Sequence, residues 1–309
     1  MVRLNKDAKH VEKKMFDGSG TAKMRLILES NEEMYNKGRV FNHLYLEPGC
    51  IFCKPEDETA RPIDLRRCLT RLDEYLDRND YAAARRHLDY WKQEALANND
   101  LRGLLSLENE RMGLFRKLGD EAAAEEALAS ALALVDRTGL DDTVTAATTW
   151  LNAATVRKRF GRAAEALPLY EKARAVYERV LAPDDPRLGG LYNNMALTLT
   201  DLGRYAEARA LYEKALTIME KQEQGAMEAA ITELNLANLA EAEQGLLEAE
   251  AEIEARLDRA WALLNDPALP QNGYYAFVCE KCAPSFGYYG RFLDARELKE
   301  RSERIYAGT

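Results

Sequence analysis

The segment Gly161-Arg162-Ala163-Ala164-Glu165-Ala166 returns as Gly203-Arg204-Tyr205-Ala206-Glu207-Ala208, 42 residues later. At the same offset Tyr170-Glu171-Lys172-Ala173 returns as Tyr212-Glu213-Lys214-Ala215, and Asn152 with Ala154 returns as Asn194 with Ala196. A fixed period of this size means a stack of similar units, because one unit cannot bury its apolar face alone and must cover its neighbour's. The spacing restricts most of the chain to a one-dimensional array. It leaves open what the array holds.

Weaker copies extend the array in both directions. Leu118-Gly119-Asp120 through Ala124 and Ala131 lies 42 residues before the Gly161 unit, and Asn79-Asp80-Tyr81 with Ala84 and Trp91 lies 40 residues earlier still. Gly245 follows Gly203 by 42 residues, with its second helix displaced by about a turn, and Gly290-Arg291-Phe292-Leu293-Asp294-Ala295 repeats the motif once more. Six units result, at roughly 62–98, 100–138, 142–182, 186–224, 226–266 and 272–307. Each reads as two helices. In the fourth, Leu191, Met195, Leu199 and Leu202 fall at helical spacing, and Gly203 ends the helix where a left-handed residue is cheap. Ala208, Leu211, Ala215, Leu216 and Met219 mark the apolar stripe of its second helix. Small residues at 196, 208 and 215 let backbones approach. Pro183-Asp184-Asp185-Pro186 breaks the chain between units three and four, and Pro267 and Pro270 punctuate the step before the last.

The order Asn-x-Ala, Gly seven residues after the Ala, then Tyr or Phe, Ala, and Tyr…Ala resembles the tetratricopeptide repeat. The 42-residue spacing and the Leu181-Ala182-Pro183-Asp184-Asp185-Pro186 connection look like the longer variant of kinesin light chains. The resemblance covers residues 62–307. It implies an all-α, right-handed superhelical solenoid of about six helix-turn-helix repeats, with first helices lining a concave groove used for peptides or partner proteins.

Residues 1–55 depart from this pattern and read as a short, partly β appendage, followed by a linker over 56–61. Thr21 to Leu28 and Val40 to Leu46 read as strands, with turns at Gly18-Ser19-Gly20 and Glu47-Pro48-Gly49. The run Gly38-Arg39-Val40-Phe41 to Leu46-Glu47-Pro48-Gly49-Cys50 resembles the opening strands of a small bacterial cupin. The paired-histidine and glutamate cluster of that family is missing, and His10, His43 and His87 do not rebuild it. Two strands in 55 residues bury too little to form a stable barrel, so a poorly docked appendage is expected.

The net charge of −9 has the wrong sign for wrapping nucleic acid or lying on anionic lipid. Nothing in the sequence approaches the ~18 apolar residues of a membrane span. Charges recur through Lys14 with no apolar segment between them, unlike a secretory signal. Five cysteines, an odd number, fit a reducing compartment. A cytoplasmic protein is expected.

The leading site candidates are Asn152, Asn194 and Asn235, spaced 42 and 41 residues and each mid-way along a first helix. Asparagine is a poor helix former, so its recurrence there points to a gain elsewhere. An amide offers donor and acceptor together, which suits an extended peptide backbone, and the family resemblance implies that use from the concave groove. The alternative is that each amide bonds a neighbouring helix. Asn193 and Asn238 lie near the ladder. Arg157 and Lys158, one to two turns beyond Asn152, are candidates for meeting a peptide carboxylate or for a solvated face. Cys50/Cys53 and Cys279/Cys282 form two Cys-x-x-Cys pairs that in principle supply zinc ligands. The solenoid separates them in sequence, and buried packing is the expectation for the second pair. No phosphate loop, metalloprotease helix or nucleophile triad stands out. The expected function is a non-enzymatic, cofactor-free scaffold binding a peptide or partner protein, of open oligomeric state. The alternatives are a metal-dependent cupin-type enzyme or sugar-binding module with a helical appendage, or a peptide-sensing regulator.

Overall fold

A computed structural model describes residues 60–222 and 225–307. The expected strands, the cupin-like run and Cys50/Cys53 lie outside the described residues. Among these residues there are twelve α-helices in six pairs. They are α1 Leu65–Asp77 and α2 Tyr81–Ala97, α3 Leu101–Leu118 and α4 Glu121–Thr138, then α5 Val144–Arg159 and α6 Ala163–Val180. There follow α7 Pro186–Asp201 and α8 Tyr205–Met219, α9 Ala226–Gln244 and α10 Glu250–Leu264, and finally α11 Gly273–Tyr288 and α12 Phe292–Ala307. They fall into two compact units, the first ending at Leu211 and the second beginning at Tyr212.

Local chemistry sets the helix ends. The side chains of Asp64, Asp80, Asp100, Asp120, Thr143 and Asp185 each accept a backbone N–H from the first turn of the helix that follows, and Asn272 accepts two. Within pairs the turn residue is left-handed: Asn79 at φ 54°, Gly119 at 71°, Gly161 at 78°, Gly203 at 72° and Gly290 at 83°. Five residues after the first four of these stand Ala84, Ala124, Ala166 and Ala208, all fully buried. A side chain larger than methyl at these points would push the second helix off the first.

The Gly-Arg-x-x-Glu echo has its own cause. Arg162 pairs with Glu165 at 2.5 Å, Arg204 with Glu207 at 2.7 Å and Arg291 with Asp294 at 2.5 Å. Each pair spans the first turn of a second helix. At α6 no side chain caps the helix start, and Arg162 also reaches back to Glu125 of α4 at 2.8 Å. Such exposed pairs contribute little energy individually; they orient the turn.

In the first unit α3 lies against α5, α5 against α7, and each second helix fills the outer layer between successive first helices. Tyr170 and Tyr177 of α6 are buried, with hydroxyls 2.9 Å from Thr155 Oγ1 and 2.7 Å from Thr148 Oγ1 of α5. Between α2, α3 and α4 sits a buried ionic network. Glu108 meets Lys92 at 2.9 Å and Arg111 at 3.2 Å, and accepts from Ser130 at 3.0 Å. Arg111 also pairs with Asp89 and stacks 4.9 Å from the Phe115 ring.

In the second unit α9 packs on α10 and α11, and α11 on α12, around Leu234, Leu257, Val278 and Phe286. The fifth pair shows the expected displacement. Gly245 takes φ 89°, ψ 156° rather than a left-handed helical turn, α10 starts only at Glu250, and Ala249, four residues on, is the buried alanine. One residue fewer between glycine and alanine forces the extended turn.

Replacing buried Ala208 by leucine is expected to cost about 1–3 kcal/mol through overpacking, whereas Ala164→Leu, at an exposed position, should stay within about 0.5 kcal/mol. Denaturant midpoints of the two variants check this.

Candidate functional site

The amide candidates of the first unit sit on α5 and α7. Asn152 is half-buried, and its Nδ2 donates to Asn109 Oδ1 on α3 at 2.7 Å. Asn109 in turn donates to Thr149 Oγ1 at 3.0 Å and to the Leu105 carbonyl at 2.9 Å. Asn152 therefore takes part in an amide chain linking two neighbouring first helices. One of its oxygens and one N–H are not used in that chain. Asn193 and Asn194 on α7 are buried, at 0% and 2% exposure.

In the second unit Asn235 is buried at 1% exposure and Asn238 is half-buried. Asn238 Oδ1 accepts from the Tyr289 hydroxyl at 2.8 Å, which also lies 2.8 Å from Glu241 Oε2. Burial, then the Glu241 charge, raises the Tyr289 phenol far above its ordinary range.

Counted from the turn glycine, the asparagines occupy two registers. Asn152 and Asn194 stand nine residues before Gly161 and Gly203, whereas Asn193 and Asn235 stand ten before Gly203 and Gly245. One residue rotates a helical side chain by about 100°, so the three proposed rungs do not share one direction on their own helices. Asn109, ten residues before Gly119, belongs to the second register. Sequence reasoning missed it, although its spacing of 43 residues from Asn152 was visible.

The position nine before Gly119 is Glu110 on α3. It is half-buried as a residue, but its carboxyl is enclosed, and burial followed by the nearby Asp73 charge pushes it up to about 7. The repeat thus sets a carboxyl where its successors set an amide.

The two basic candidates are engaged within the first unit. Arg157 lies 3.9 Å from Glu165, and Lys158, buried at 5% exposure, lies 3.6 Å from Asp201. Cys279 and Cys282 are fully buried on α11, and burial lifts the Cys279 thiol to about 11 and Cys282 well above its usual value. Thiols held protonated this way are poor nucleophiles and poor metal ligands. Among the described residues no group of three or more His, Cys, Asp or Glu is placed to hold a metal, and no helix is long and apolar enough to cross a membrane. The chemistry on offer is non-covalent: amides, a carboxyl and buried hydroxyls on stacked helices.

Residues 106–179 and 145–221 match the tetratricopeptide repeat model. The matched repeats carry Asn109, Glu110, Asn152, Asn193 and Asn194. A solved structure, BtubC (BKLC) from P. vanneervenii, is similar at 19% identity, covering 80% of this chain and 92% of that one with a TM-score of 0.51. That likeness shows the fold alone. The Podosopora anserina kinesin-light-chain structure of nearly identical TPR-like repeats aligns at 20% identity over 66% of this chain and 95% of that one, with a TM-score of 0.47. No curated protein matches the sequence.

Two outcomes follow from this geometry. Asn109→Ala removes the acceptor of Asn152 and the donor to Thr149, so it should cost about 1–3 kcal/mol; Asn109→Ala and Asn152→Ala together should cost less than the sum, as a denaturation double-mutant cycle would register. Glu110 has a folded-state value near 7 against an ordinary 4.5. The native state holds its proton more tightly across that window, so this contribution is present at low pH and is lost as pH rises through about 7. Glu110→Gln should therefore gain thermal midpoint relative to the parent on moving from about pH 5 to about pH 8, with little further gain above that.

Proposed function

We propose that the chain is a non-enzymatic cytoplasmic scaffold that holds an extended segment of a partner protein against the first helices of its repeats. The observation that carries this reading is Asn152, a mid-helix amide that remains half-buried while bonded to Asn109. An amide fixed by a neighbouring amide is pre-oriented, so it loses little freedom on meeting a peptide N–H or C=O. A stack of helices with no assembled nucleophile or metal cluster among the described residues suits recognition rather than turnover. Asn194 and Asn235 belong to the same reading as further rungs, with Asn193 and Asn238 beside them. Arg157 and Lys158, paired with Glu165 and Asp201, would meet a ligand carboxylate only by exchanging those partners.

The test is a comparative pull-down from native lysate using the intact chain, Asn152→Ala, and Asn152→Ala/Asn194→Ala/Asn235→Ala. Partners held by the intact chain should be weakened by the single variant and lost from the triple variant, with helical circular dichroism unchanged. Equal capture by all three sinks the amide ladder and moves attention to other faces.

A further inference from the structure

At the amino-terminal repeat of the first unit, α1 and α2 enclose an open cleft of about 610 Å³. Its wall on α1 runs from Asp64 to Glu74 and carries Arg66, Arg67, Thr70 and Arg71; the α2 wall carries His87, Tyr90 and Trp91. Several of these groups are already used. Asp64 caps α1 by accepting the Arg67 N–H at 3.0 Å, Arg71 pairs with Glu74, and His87 Nε2 lies 2.9 Å from the Cys68 carbonyl. The remaining polar groups are almost all donors. Among the described residues no hydrogen bond or ion pair engages the Arg66 or Arg67 guanidinium, the Thr70 or Tyr90 hydroxyl, or the Trp91 indole N–H. Tyr90 is 58% exposed, and its ring meets Trp91 edge-on at 5.7 Å.

A cleft with donors to spare and two uncompensated cations takes a ligand that brings acceptors and negative charge. The spacing of the donors narrows the class. They spread along ten residues of helix, about 15 Å, rather than converging on one point as a phosphate would require. That length suits about five residues of extended chain, with carboxylates toward Arg66 and Arg67 and an apolar side chain on Tyr90 and Trp91. We propose that the α1/α2 cleft is a binding site for an extended acidic peptide segment, separate from the asparagine face on α5 and α7. Two sources share this chemistry: a partner's acidic segment, and this chain's own Glu56-Asp57-Glu58, which lies outside the described residues but only a few positions before α1.

The experiment is a fluorescence-anisotropy titration of a fluorescein-labelled oligoglutamate peptide with the full chain. It uses the parent, Arg66→Glu/Arg67→Glu, Arg66→Gln/Arg67→Gln, and Glu56→Lys/Asp57→Lys/Glu58→Lys. Both arginines are exposed, so the variants should fold, and the glutamine pair separates loss of attraction from added repulsion. Binding by the parent, weakened about tenfold or more in both arginine variants and falling with salt, supports the site with a partner as its source. Binding seen only after the acidic run is reversed, and still dependent on Arg66 and Arg67, supports the site with the chain's own run as its occupant. Absence of binding in both the parent and the acidic-run variant overturns the proposal. So does binding that the arginine substitutions leave unchanged.

Discussion

The close approach of two helices at one alanine governs the architecture. A left-handed residue reverses the chain, and five positions later Ala84, Ala124, Ala166 or Ala208 lies flat against the partner helix with no exposed surface. A methyl side chain lets backbones come near enough for dispersion contacts along their length, and any extra volume has nowhere to go in a close-packed interior. The turn residue and the alanine act together: the first fixes the angle at which the second helix returns, and the second fixes how near it comes. Where the count between them changes, as between Gly245 and Ala249, the glycine abandons the left-handed turn and the next helix starts late.

Burial of the first helices changes what their polar residues can do. In α7 every residue from Leu188 to Leu199 is buried, Asn193 and Asn194 among them. An amide in such a place must find its bonds inside the protein or take them from something that displaces its surroundings. Asn109 and Asn152 show the first solution, joined at 2.7 Å across two helices. The ionic cluster around Glu108 shows the same economy with charges, each carboxylate oxygen facing a cation or a hydroxyl. Buried pairs of this kind add little net stability but are costly to break, so they favour one alignment of α2, α3 and α4.

Much of the fold was legible in the sequence because its signals are local. The turn glycines, the aspartate caps and the recurring alanines each specify structure within a few residues, and all six helix pairs fall where the period places them. Asn79 fills the left-handed turn of the first pair in place of glycine, as short polar side chains can. The candidate site was less legible. A spacing of 42 and 41 residues looked like one ladder, but a single-residue slip rotates a helical side chain by about 100°, and only the distance to the turn glycine exposes it. Asn109 and Glu110 escaped notice because neither matches the residue type of its successor at the same register. The pairing of Lys158 with Asp201 joins residues 43 positions apart through tertiary contact, which no local pattern encodes.

The neighbour-only packing also bears on how the molecule reaches its folded state. Within each unit a helix touches the helices one or two places away in the chain, so no contact waits for a long loop to close. The entropic barrier to each step is small. Any pair that forms early can template the next, and a chain emerging slowly from synthesis can add pairs in order as they appear. Assembly of this kind has many starting points and few obligatory ones, so damage to one pair need not halt the formation of others in the same unit.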